Sequence, residues 1–138
     1  MYKSNTQLKV RYAETDQMGI VHHSNYYIYF ETAREDFILG CGIKYKHLED
    51  LGVMMPIAET QCKYHEGAKY ADILIIETSM VKLSPVKVEL EYKVTRQTDG
   101  KLIATGKTVQ IFVGSDSFKI INIKKLFPDI WIKFQELI

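Results

Sequence analysis

One long helix pattern near the start, followed by a run of strand patterns, predicts an α+β domain. Three observations carry that reading. Tyr26, Phe30, Ala33 and Phe37 recur at helical spacing. Val86, Val88, Leu90, Tyr92 and Val94 alternate with Lys87, Glu89, Glu91, Lys93 and Thr95, as in a strand with one buried face. Thr98-Asp99-Gly100-Lys101 then carries the Asp-Gly signal of a hairpin turn.

Taken in order, residues 7–13 read as a first strand, with Leu8, Val10 and Tyr12 on one face. Residues 16–24 form a loop, and residues 25–39 the main helix. Ser24 or Asn25 is suited to cap the helix, and Gly40 and Gly42 to end it. Tyr26, Tyr27, Tyr29, Phe30 and Phe37 spread round more than half of the helical wheel, which predicts a helix wrapped by a sheet. A short helix over 44–51 stops at Gly52, and a strand region over 53–65 bends near Pro56. A turn over 67–71 leads to strands over 72–83, 86–97 and 102–113. The tail, 124–138, places Leu126, Phe127, Ile130, Trp131, Phe134 and Leu137 at helical spacing and predicts one amphipathic helix.

The bulk properties narrow the function classes. With 138 residues, one domain spanning 1–138 is expected. A formal net charge of +1 gives no general attraction to nucleic acid or to a membrane surface. No apolar run approaches the ~18 residues of a membrane span. Cys41 and Cys62 are the only cysteines, too few and too far apart for a disulfide framework or a structural zinc site. A cytoplasmic protein is the expectation. Asp16, His22, His23 and His65 offer a metal reading, but adjacent loop histidines rarely converge on one ion and no His-x-x-x-His or Cys pair supports them, so no metal is expected.

The chemistry concentrates where the loop meets the main helix. A helix start presents unpaired N–H groups and partial positive charge, a place to hold an oxyanion. Asp16 lies a few residues upstream. One carboxylate beside one oxyanion site is a minimal kit for acyl transfer or hydrolysis. On position alone, Asp16 also fits a loop aspartate capping a turn.

The pattern Thr15-Asp16-x-x-Gly19-x-Val21-x-His23-x-x-Tyr26, followed by Tyr29-Phe30-Glu31-x-Ala33-Arg34, resembles the 4-hydroxybenzoyl-CoA thioesterase branch of the hotdog-fold thioesterases. The likeness runs from about Gln7 to Ile123, more weakly through residues 64–72, where Gly67 stands in place of the family's usual proline and Ala71 in place of a common acidic residue. It implies an antiparallel sheet of about five strands wrapped around one long helix, with a C-terminal helix. It implies an acyl-CoA thioesterase that works without metal or cofactor, with coenzyme A or acyl carrier protein as the thiol carrier. Asp16 would act on the thioester carbonyl as nucleophile or as general base. The His23 N–H would hold the oxyanion, with its imidazole either assisting or merely capping the helix. Gly19, Val21 and Tyr26 would line the substrate, Gly19 because its backbone passes close and can adopt positive φ. Lys69, Lys82 and Ser84 would meet the CoA; solvated surface residues are the equal alternative for the lysines. Glu31 and Arg34 could pair on one helix face, although another hotdog branch uses a helix carboxylate catalytically. Tyr27, Phe30, Met54 and Met55 could join the acyl pocket or the core. The resemblance further implies a homo-oligomer, a dimer joined sheet to sheet and often a tetramer, with sites at the interface. Two rivals are a non-catalytic acyl-CoA or acyl carrier protein binder and an enoyl-CoA hydratase. That hydratase branch sets its histidine five positions after the aspartate, whereas His22 and His23 fall later.

Overall fold

The structure is a computed structural model that describes all 138 residues. Five antiparallel strands form one sheet in the order β1-β4-β5-β6-β3. They are β1 (Lys3–Lys9), β3 (Ile57–Tyr64), β4 (Ile73–Leu83), β5 (Lys87–Arg96) and β6 (Leu102–Ile111). Helix α1 (Asn25–Gly40) lies across one face. A short helix α2 (Tyr45–Asp50) leads to β2 (Val53–Met54), which pairs with β7 (Val113–Gly114). Two short helices, α3 (Ile123–Leu126) and α4 (Pro128–Gln135), follow at the C-terminal end. The expected α+β architecture, a sheet wrapped on one helix, is the one found.

The seat of α1 follows from its sequence. Tyr26, Tyr29, Phe30, Ala33, Phe37 and Ile38 are buried against the sheet, while Tyr27, Ile28 and Leu39 are exposed. Burial therefore covers one side of the helix rather than most of it. Phe30 stacks on Tyr92 at 4.4 Å between ring centroids and also occupies the space beside Gly106, where any Cβ would collide with its ring. Gly42, at φ +84°, ends the helix, and the Ile43 N–H reaches back to the Ile38 carbonyl. That is a left-handed C-terminal cap with an apolar follower.

Two expected elements shift. The first strand is residues 3–9, not 7–13, because residues 12–14 close a 3₁₀ turn instead. Its inward residues Ser4 and Thr6 are polar, and Thr6 donates to Asp36 of α1 at 2.7 Å, so hydrophobic alternation underestimates this edge. The tail is broken at Phe127, whose φ/ψ of −136°/67° is extended rather than helical. The ring of Pro128 forbids the α conformation in the residue before it. The expected Glu31–Arg34 ion pair is absent as well. Arg34 is buried and donates to the Tyr92 hydroxyl at 3.2 Å, while Glu31 is exposed.

Phe37 is fully buried and packs against Tyr2. Phe37→Ala should lower unfolding free energy by about 3–5 kcal/mol, read from urea denaturation.

Candidate active site

The loop before α1 is a miniature hairpin. Thr15 and Val21 form an antiparallel bridge, the Asp16 N–H donates to the Ile20 carbonyl at 2.8 Å, and the Gly19 N–H donates to the Asp16 carbonyl at 2.9 Å. Gly19 sits at φ +80°, so glycine is needed for the backbone turn itself. The Asp16 carboxylate accepts the Met18 N–H through Oδ1 at 2.9 Å, while Oδ2 accepts no hydrogen bond within the chain.

Beyond Val21 the chain turns into the helix. The Asn25 N–H donates to the His22 carbonyl and the Tyr26 N–H to that of His23. Neither expected cap forms. Ser24 makes no capping bond, and its hydroxyl pairs with His22 Nδ1 at 2.8 Å. The Asn25 amide instead donates to the Glu14 carbonyl at 2.9 Å. The His23 N–H has no acceptor within the chain, and the first turn of α1 carries no acidic residue. The positive end of a 16-residue helix is thus left uncompensated beside an unpaired donor.

A second loop locks onto the hairpin. The Val21 N–H donates to the Ala68 carbonyl at 2.8 Å. Arg96 holds this loop through Asp72 at 3.0 Å and the Gly67 carbonyl at 2.9 Å, and is itself oriented by Asp99 of the β5–β6 turn at 2.8 Å. Gly67 lies against the Ile20 side chain, and a Cβ at position 67 would come within 2.6 Å of Ile20 Cγ2. The small residue at position 67 therefore has a tertiary cause: the hairpin carries a branched residue at the contact.

Tyr26 is buried beneath the loop, edge-on to both Tyr29 and Tyr64. Burial pushes its phenol up to about 12, with the Ala68 backbone acting the other way. Tyr64, on the edge strand, also stands edge-on to His23. The rings of His22 and His23 stack at 4.2 Å, and His65 pairs with Thr105. No group of three or more His, Cys, Asp or Glu is arranged to hold a metal ion.

Asp16, Gly19, Val21, His23 and Tyr26 therefore belong to one locality, with Lys69 in the adjoining turn. Lys82 and Ser84 do not join them within one chain. Lys82 lies nine residues beyond Ile73 along β4, about 30 Å away at ~3.3 Å per residue. The Ser84 hydroxyl accepts the Lys87 N–H at 3.2 Å and shapes the β4–β5 turn. Met54 and Met55 line a separate hollow of about 270 Å³ with Tyr45, Leu48, Val53 and Phe118. A concavity of about 550 Å³ is on the outer face of the sheet and is lined mainly by charged and polar residues.

The sequence pattern places Tyr29 on the main helix but gives neither Tyr29 nor Glu14 a part in the site. Glu14 is only 7% exposed, and its carboxylate accepts the Tyr29 hydroxyl at 3.0 Å. The available signal was an arginine three residues before a glutamate, as in a short capped turn.

The model of the thioesterase-like superfamily matches residues 10–129. The chain belongs to that superfamily. It is 33% identical over 129 residues to the "Putative acyl-CoA thioesterase YneP" of Bacillus subtilis, covering 94% of this chain and 93% of that protein. A solved structure described as a DHNA-CoA thioesterase from Staphylococcus aureus superposes with a TM-score of 0.93 at 32% identity, over 99% of this chain and 91% of that one. The 4-hydroxybenzoyl-CoA thioesterase of a Pseudomonas species is 22% identical over 120 residues, 83% of this chain and 85% of that protein. The hotdog fold and thioesterase kinship expected from the loop motif are those found. No helix is long and apolar enough to cross a membrane.

The Ile20–Gly67 contact is testable. Gly67→Ala should cost about 1–3 kcal/mol through overpacking, and Ile20→Ala in the same chain should recover most of it. Thermal melts of both single variants and the double variant check this.

Proposed function

We propose that this thioesterase hydrolyses an acyl-CoA at the junction of the loop hairpin and α1, using Asp16 as its carboxylate and the His23 N–H as its oxyanion donor. The observation that carries the reading is the unpaired His23 N–H at the uncompensated positive end of α1, with Asp16 Oδ2 unpaired on the neighbouring hairpin. The carbonyl oxygen of the thioester gains negative charge in the transition state. A donor fixed at the helix start meets that charge without reorganising. Asp16 either attacks the carbonyl carbon, giving an acyl-enzyme anhydride that water then cleaves, or removes a proton from the attacking water. Both routes release a carboxylic acid and the free thiol.

Tyrosines border the site, and Tyr26 and Tyr64 meet edge to face. This wall supports an aromatic acyl group, as does the likeness to the S. aureus protein described as a DHNA-CoA thioesterase. Edge strand β3 supports a dimer. Seven of its eight residues are exposed, including Ile57 and Tyr64, and one side of its backbone has no neighbouring strand. An unpaired, partly apolar edge favours pairing with a second copy. Antiparallel pairing about a two-fold would set the Ile57 end of one β3 beside the Tyr64 end of the other, and would bring each chain's distant Met54–Met55 hollow toward its partner's site.

Asp16→Asn should lower kcat by roughly 10²–10⁴-fold, the usual worth of a positioned acid or base. A thiol-trapping assay over acetyl-, palmitoyl- and benzoyl-CoA checks this, with acyl carrier protein thioesters as a separate arm. Unchanged turnover in Asp16→Asn would refute the site. Ligand binding without thiol release by the wild-type chain would favour the binding-protein reading. Light scattering should give at least twice the monomer mass; a monomer at micromolar concentration would remove the dimer.

A further inference from the structure

Glu14 is a buried carboxylate to which the loop mechanism gives no part, yet the strands of the site meet on it. Oε1 accepts the Arg11 N–H at 2.8 Å and the Tyr29 hydroxyl at 3.0 Å. Oε2 accepts the Arg11 guanidinium at 3.3 Å through both Nε and Nη2. Its backbone carbonyl accepts the His22 N–H at 2.8 Å and the Asn25 side-chain amide at 2.9 Å. One residue thus ties together the chain entering the hairpin, the chain leaving it, the first residue of α1 and the helix's second turn. Asp16 lies two positions after Glu14, and His23 directly follows the residue whose N–H Glu14 receives. The phenol of Tyr29 is held neutral by burial and by the adjoining carboxylate, so it remains a donor.

We propose that Glu14, through Tyr29, is a positioning residue that sets the separation between the Asp16 carboxylate and the oxyanion donor of His23. The proposal rests on the thioester-hydrolysis reading above. Glu14 is buried and directs both carboxylate oxygens to protein donors, so its part is to hold other groups rather than to touch substrate. Without the Tyr29 hydroxyl, the link from the Glu14 carboxylate to the helix is gone and only the Asn25 amide still ties α1 to Glu14, while Asp16, His23 and the core remain chemically intact. Near-attack geometry tolerates little displacement. A shift of the order of 1 Å far from the reacting atoms can cost 10²-fold in rate.

The test uses the full chain with whichever of acetyl-, palmitoyl- or benzoyl-CoA it turns over fastest. Tyr29→Phe and Glu14→Ala should each lower kcat by roughly 10–10²-fold with little change in KM. Glu14→Gln, which keeps an acceptor for Tyr29, should restore most of that loss. In an Asp16→Asn background, Tyr29→Phe should cost little further, because residues acting as a unit are non-additive. A merely structural role predicts that the two losses multiply, and that result would overturn the proposal, as would wild-type kcat in Tyr29→Phe. Should Glu14→Ala fail to fold, Tyr29→Phe decides alone. Wild-type turnover in Asp16→Asn would instead remove the hydrolysis reading itself. A dead Asp16→Asn beside a fully active Tyr29→Phe would remove only the role of Glu14.

Discussion

Phe30 lies flat on Tyr92 and fills the space that Gly106 leaves without a side chain. This contact determines how close α1 can come to the sheet, and much else follows from it. A side chain at position 106 would lift the helix. The N-terminus of α1 would then part from the turn carrying Ala68, and the Val21–Ala68 hydrogen bond that closes the site would stretch. Close-packed interiors transmit such displacements because there is little free volume to absorb them. The polar contacts of the loop can therefore be short and specific only because an aromatic stack several residues away has already fixed the helix.

The same contact explains the mixture of residues under α1. Arg34, one turn beyond Phe30, is buried with no carboxylate partner among the chain's ion pairs. It donates to the Tyr92 hydroxyl, which pairs in turn with Thr108 at 2.7 Å. Tyr92 thus serves an apolar neighbour through its ring and a cation through its oxygen. Phenols suit this double use, presenting an apolar body and a polar tip.

The sequence carried the architecture well where periodicity was strict. The alternation of β5, the Asp-Gly turn and the spacing of Tyr26, Phe30, Ala33 and Phe37 each led to the right element. It carried less where tertiary contacts outweighed local pattern. Residues 3–9 form a strand with polar inward residues because β4 offers a partner and Asp36 offers Thr6 an acceptor. Neither neighbour is visible in a window of seven residues. The capping expectation at Ser24 and Asn25 failed for a similar reason. The helix start is held from outside, by the Glu14 carbonyl, so the Asn25 amide points away from its own helix. Gly19 was legible because a positive φ is a local property. Gly67 was not, because its cause is Ile20, 47 positions earlier in the chain.

The two readings of Asp16 allowed by the sequence, turn cap and catalytic carboxylate, are not alternatives in this geometry. A carboxylate has two oxygens, and here they have different occupations. Oδ1 accepts the Met18 N–H, which restricts rotation about the side-chain bonds. Oδ2 is thereby held in one direction with its lone pairs unengaged. A freely rotating aspartate on a loop would lose side-chain entropy each time it met a substrate, whereas this one has lost much of it on folding. The hydrogen bond that fits the structural reading also supplies the preorganisation that the catalytic reading needs. Similar logic applies to the His23 N–H. Its neighbours at Asn25 and Tyr26 are bonded within the turn, which leaves that one donor fixed and unengaged.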